Sequence, residues 1–341
     1  MVPDDTMKKR PGEARTQLAS PGRRATMLAL AALAAPSVLL PRAARAQSWP
    51  DGPVRIIVPF AGGTPPDTYC RVFGEKLSHR IGQPVIIDLR PGASTTIGTA
   101  FAAKAKPDGQ TIAYLTNSSL TAAPNLFKSL QYDPEKDFSA ITVMLESYFC
   151  IGVRPEDAKL TLQDFAERVR QNPGNAMGGG SSTAEVANML FTKAAGLNHA
   201  YARYNSNQSY NDLFGGRLSA VWAPLNSALA MARQGKLHIL AITGPRRVSV
   251  LPDVPTLNEV YPGVIVESWS GFFVPSSTPR PLVATLYEHV DAVVRDPEIQ
   301  ERGRQDGTQP LKLSPEQSDA YVTKDFPRWK DLLTSAGIEP Q

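Results

Sequence analysis

Three loops carry residue types that could hold a small anion. The first follows an apolar run, Val54–Phe60, and reads Ala61-Gly62-Gly63-Thr64-Pro65-Pro66-Asp67. Glycines let the backbone approach a ligand closely. The first N–H groups of a helix have no intrahelical partner and carry partial positive charge. A carboxylate at such a corner gains charge-assisted hydrogen bonds without an arginine. Pro65 and Pro66 lack an N–H, so Phe60, Gly62, Gly63, Thr64 and Asp67 are left as the contacts. Asp67 reads first as the helix N-cap, because its charge would repel an anion.

The second loop is Gly178-Gly179-Gly180-Ser181-Ser182-Thr183, where Ser182 to Glu185 fits a capping box. The third, Thr116-Asn117-Ser118-Ser119, ends a strand-like run, and Tyr204-Asn205-Ser206-Asn207 ends another. The plain alternative for each is a strand–helix turn with its cap. Arg71 reads as an exposed or interface residue and Arg90 as a surface partner of Asp88. Catalysis finds no foothold. His79, His199, His238 and His289 lack metal-ligand spacing. There is no G-x-S-x-G elbow, no phosphate-cradling loop and no cysteine in a nucleophile's setting. No enzyme, catalytic residue, metal or cofactor is expected.

These loops need strands and helices to aim them. Strand-like runs span 54–60, 84–88, 111–116, 141–145, 148–153, 199–204, 218–223, 237–243 and 264–274. Helix-like runs span 67–81, 96–105, 162–171, 183–195, 209–214, 228–233 and 281–295. A last one covers 315–336, capped by Ser314 and expected to break near Pro327. The alternation predicts mostly parallel sheets covered by helices. With no linker in the chain, strands should cross between two lobes near 146–148 and 268–271. The cleft lies at the carboxyl ends of the strands.

The N-terminus reads differently. A basic region, the apolar run Met27 to Leu40 and Ala44-Arg45-Ala46 form a secretory signal over 1–46. Arg23-Arg24 leaves twin-arginine export open beside ordinary secretion. That segment holds eight basic and three acidic residues, so a chain of net +4 becomes about −1 without it. The basic balance is then no argument for nucleic-acid binding. Cys70 and Cys150 could bridge in an oxidising compartment. Their apolar settings favour two buried thiols.

From Ser48 onward the chain resembles the substrate-binding proteins of tripartite tricarboxylate transporters, the Bug-type family. The resemblance rests on the order of many short segments. They include Trp49-Pro50 with Val54–Phe60, Gly63 to Asp67 with Arg71, Gly82-Gln83-Pro84-Val85, and Arg90-Pro91-Gly92-Ala93 with Ile97-Gly98. Further along come Lys106-Pro107-Asp108-Gly109, Tyr132-Asp133-Pro134, Asp212–Gly216, Gly235-Lys236-Leu237 and Leu251–Thr256.

The resemblance implies a two-lobed α/β fold of the periplasmic binding proteins, type II-like, with crossover strands as a hinge. Its lobes would follow the crossings read above, one from 47–147 plus 270–341 and the other from 148–269, after the signal over 1–46. The resemblance also implies a periplasmic monomer that takes a mono-, di- or tricarboxylate through amides, hydroxyls and water, and hands it to membrane permease subunits. A sensor presenting the ligand to a signalling partner is the alternative. The family commonly shows Gly-Gly followed by small hydroxyl residues, and Thr64, Pro65 and Pro66 depart from that. Tyr204 matches the family's tyrosine, whereas Arg203, Asn205 and Ser206 replace its proline, lysine and glycine. Ala223 stands where many members carry aspartate, which would let Trp222 stack on an apolar ligand.

Overall fold

A computed structural model describes residues 49–174, 176–204 and 208–337. The expected signal, Asn205, Ser206 and Asn207 lie outside them. The chain first forms β1 (Val54–Val58), α1 (Pro65–Ile81), β2 (Val85–Leu89), α2 (Thr96–Ala103), β3 (Thr111–Thr116) and α3 (Ala123–Leu126). A long strand, β4 (Phe138–Val153), follows. Next come α4 (Leu162–Gln171), β5 (Ala176–Gly179), α5 (Ser182–Ala194), β6 (Tyr201–Arg203), α6 (Gln208–Phe214), β7 (Leu218–Pro224), α7 (Leu225–Arg233), β8 (His238–Ile242) and α8 (Leu257–Val260). The chain closes with β9 (Glu267–Pro275), α9 (Arg280–Val294), α10 (Pro297–Gln305), β10 (Gln309–Pro310) and α11 (Pro315–Ala336).

The strands run in the order β2-β1-β3-β9-β4-β7-β5-β6, with β8 and β10 also paired to β4. The outer pairs, β1 with β2 and β3 and β5 with β6 and β7, are parallel, as the helix-bearing crossovers require. Every pair through β9 or β4 is antiparallel, so the sheet is mixed. The reason is that β4 serves both halves. Its pairing with β9 runs to Tyr148–Glu267, and its pairing with β7 starts at Phe149–Pro224. The two expected strands at 141–145 and 148–153 are thus one.

Strand alternation sends side chains to both faces. Val54, Ile56 and Val58 pack with Phe73 and Leu77 of α1, while Ile57 joins Leu115, Trp269 and Phe273 on the other side. Beyond the crossing, Ile151 and Trp222 pack with Phe165 and Phe191, while Cys150 and Val221 face Leu213 and Leu229. Each such apolar side chain stabilises the fold by about 1.5–3 kcal/mol. Cys70 and Cys150 are free thiols buried in different clusters, and burial raises the pKa of both. No disulfide joins them.

Three local expectations change. Helix α11 does not break at Pro327. Val322 packs on the first half of the sheet, whereas Trp329 and Leu333 pack in the second core. That anchoring offsets the roughly 3 kcal/mol an internal proline costs. Strand β5 occupies part of the expected glycine loop. A Cβ on Gly179 would lie 2.6 Å from the Tyr201 hydroxyl and 2.8 Å from Ala184 Cβ, so the glycine serves close packing. Helix α10, with Asp296 as its cap, is an element that sequence periodicity misses.

The crossing carries a polar cluster. Glu146 of β4 accepts from the Tyr148 hydroxyl at 3.3 Å. Arg328 of α11 holds Glu267 at 2.6 Å and Asp325 at 3.0 Å. Burial first, then the neighbouring Glu267, raises the Glu146 pKa; Tyr148, Arg246 and Arg328 act against this. A carboxyl with a raised native pKa favours the protonated form in the folded state. Its contribution is complete below the ordinary carboxylate range and is lost as pH climbs through the raised value. Glu146→Gln should therefore be more stable than wild type at about pH 8, with the gap shrinking towards zero near pH 4. Urea unfolding at both pH values checks this, and a gap independent of pH would contradict it.

Candidate functional site

The loop after β1 is largely occupied with itself. Thr64 is the N-cap of α1, by backbone position only. Its hydroxyl donates to the Ala61 carbonyl at 2.6 Å, and its N–H to the same oxygen at 3.4 Å. Asp67 is not the cap. It sits in the first turn, nearly buried, and its Oδ2 accepts the Gly63 N–H at 2.8 Å. Arg71, one turn on, ion-pairs with its Oδ1 at 2.7 Å. Gly63 adopts φ +76°, which only glycine takes without strain. Arg90 does pair with Asp88, at 3.1 Å, and its guanidinium also stacks 3.5 Å above the Phe101 ring.

The other two loops meet. After Thr116 the chain makes one π-helical turn over Ser118–Ala122, in which the Asn117 carbonyl accepts from both Thr121 and Ala122 N–H at 2.9 Å. Such turns are rare and cluster at functional sites. The Asn117 side chain, wholly buried, donates to Thr183 Oγ1 at 2.9 Å and accepts from Ser268 Oγ at 2.6 Å. Ser118 Oγ lies 2.8 Å from the same Thr183 hydroxyl. The start of α5 is thereby fixed against the end of β3. The cap of α5 is Ser181, which accepts from Ala184 N–H at 3.2 Å. Ser182 is the first helical residue, not the cap, and Glu185 pairs with Arg203 instead of closing a capping box.

The remaining candidates have other partners. The Tyr204 hydroxyl donates to Asp212 at 2.7 Å, and Asp212 is also held by Arg217 at 3.0 Å, which lowers its pKa. Trp222 is 1% exposed. Its indole donates to Asn188 at 2.9 Å and packs against Phe191, so it is a core aromatic. Ala223 points to the opposite face, in the cluster with Tyr148 and Cys150. The ligand-stacking role expected of Trp222 has no support in this geometry.

Sequence reasoning missed a row of hydroxyls. The register sets Thr116 opposite Ser270 and Ser147 opposite Ser268. All four therefore lie on one face of three adjacent strands. Tyr114, two residues before Thr116 on the same face, meets Phe60 edge-on at 6.4 Å. Thr116 is 8% exposed and its hydroxyl has no protein partner. The available signal was Ser268-Trp269-Ser270, polar residues at period two in an apolar strand. A second missed feature is the turn before α2, where Ala93, Ser94 and Thr95 all have positive φ. Ser119 Oγ donates to Thr95 Oγ1 at 3.1 Å and ties this strained turn to the π-helical one.

Thr183→Val keeps the shape but leaves the buried Asn117 amide without its acceptor. It should cost about 1–3 kcal/mol, and Thr183→Ser much less. Denaturant midpoints of the two variants check this; equal losses would mean that packing, not the hydroxyl, matters.

Comparison with known proteins shows the family. Residues 69–338 match the family model of the tripartite tricarboxylate transporter family receptor. A protein of Bordetella bronchiseptica from the UPF0065 group is 30% identical over 331 residues, covering 96% of this chain and 95% of its own. Among solved structures, the periplasmic binding protein BugD has a TM-score of 0.81 at 30% identity, with 86% of this chain and 100% of that one covered. R. palustris Rpa4515 with adipate has a TM-score of 0.81 at 27% identity, with the same coverage. The fold is accordingly the two-lobed one of the periplasmic binding proteins, and the family is one of substrate-binding receptors, not enzymes. The chain belongs to the tripartite tricarboxylate transporter receptor family.

Proposed function

We propose that this chain is a periplasmic receptor that captures a small carboxylate between its lobes and passes it to permease subunits of a tripartite tricarboxylate-type transporter. One lobe would comprise 47–147 plus 270–341 and the other 148–269, with α11 packing on both. The observation that carries the reading is the contact of Asn117 and Ser118 with Thr183. It brings the first turn of α5 to the carboxyl end of β3, beside the hydroxyl row. A helix start and aligned hydroxyls can neutralise a carboxylate without a cationic side chain. The adipate in the similar Rpa4515 structure supports the ligand class. A signal over 1–46 supports export.

Thermal unfolding against a carboxylate panel tests the reading. A ligand at about 100 times its dissociation constant should add about 2.7 kcal/mol of stability and raise Tm accordingly. Failure of every carboxylate to shift Tm would overturn it.

A further inference from the structure

We infer that the site is rich in free donors at one pole only, so that the chain selects a monocarboxylate with an apolar body over a di- or tricarboxylate. This narrows the carboxylate reading above and rests on it.

The two poles differ in what they can donate. At the α1 corner the Gly63 N–H is bonded to Asp67, and both Thr64 donors reach Ala61. Pro65 and Pro66, the first two residues of α1, have no N–H. Asp67 there is an acid ion-paired with the exposed Arg71. Apart from the N–H groups of Gly62 and Asp67, what the corner offers is hydrocarbon: two pyrrolidine rings, with Phe60 edge-on to Tyr114.

The other pole is rich in donors. The first intrahelical bond of α5 runs from Glu185 N–H to the Ser181 carbonyl, and Ser181 Oγ caps Ala184. The N–H groups of Ser182 and Thr183 precede both. Close by in the chain path Thr116 to Ser118 to Thr183 is the Thr116 hydroxyl, more than nine-tenths buried and without a protein partner.

An ionised group moved out of water needs hydrogen bonds to replace its hydration. One carboxylate finds them at the α5 pole. A second, at the far end of a short ligand, would meet prolines, a phenyl edge and an acid already paired with Arg71. An apolar corner gains little from an added methyl group, whereas burying an ionised carboxylate there without partners costs far more.

Chain-matched acid pairs test this by calorimetric titration of the purified protein. Hexanoate should bind at least about tenfold more tightly than adipate, and benzoate than terephthalate. The Pro65→Gly, Pro66→Thr double variant restores two N–H donors and should move the ratio towards the diacids. A diacid that binds wild type as tightly as its monoacid overturns the selectivity while leaving the carboxylate reading standing. So does a folded double variant with an unchanged ratio. If the double variant does not fold, the wild-type ratios alone decide. Absence of binding by both members of both pairs, while another carboxylate of the panel binds, overturns this inference alone; failure of the whole panel defeats the carboxylate reading and this inference with it.

Discussion

The buried amide of Asn117 is the constraint on which the rest of the site depends. A side-chain amide sealed from water must place both its oxygen and its nitrogen, or the fold loses the desolvation cost of each. Asn117 does so by drawing on three elements. Ser268 comes from β9, Thr183 from α5, and its own main chain opens the π-helical turn. None of these partners is near another in sequence. Their convergence fixes where the second lobe begins relative to the first, and with it the direction in which the first turn of α5 points.

A second network works one layer away. Trp269 follows Ser268 and faces the other side of β9, where its indole donates to Asp325 at 2.7 Å. Asp325 also accepts from Thr121 at 2.7 Å, within the same π-helical turn that Asn117 opens. Helix α11 thus braces from behind the turn that Asn117 holds from the front. Buried polar networks of this kind are stabilising only when fully satisfied. That requirement explains why short serines and threonines, whose hydroxyls rotate to suit, are so frequent around the crossing.

Sequence periodicity resolves the elements whose local signals are clean. β3 and α4 fall on their expected residues because one is an apolar run ending in a turn and the other starts at a capping box. The misses have physical causes. β5 is hidden because glycine is rare in strands and is used there for close approach. Asp67 and Ser182 stand one role away from their expected ones, since a loop's backbone path decides which residue caps and which reaches back. Trp222 invites a ligand role because a tryptophan near a strand end reads the same whether it faces a cleft or a core. The hydroxyl row needs the register of β3, β9 and β4, and pairing between distant strands leaves no local trace.

The late position of β9 and α11 has one more consequence. β9 is the middle strand between β3 and β4, and α11 supplies Trp329 and Leu333 to the far core. Both follow, in the chain, the strands and core that they complete. As the chain emerges from a ribosome, β3 and β4 have no strand to separate them and the far core has an open socket. Contacts so distant in sequence form slowly, because long loops must close first. The nascent protein is obliged to remain unsealed until β9 and α11 have been made, so these two late elements close the fold.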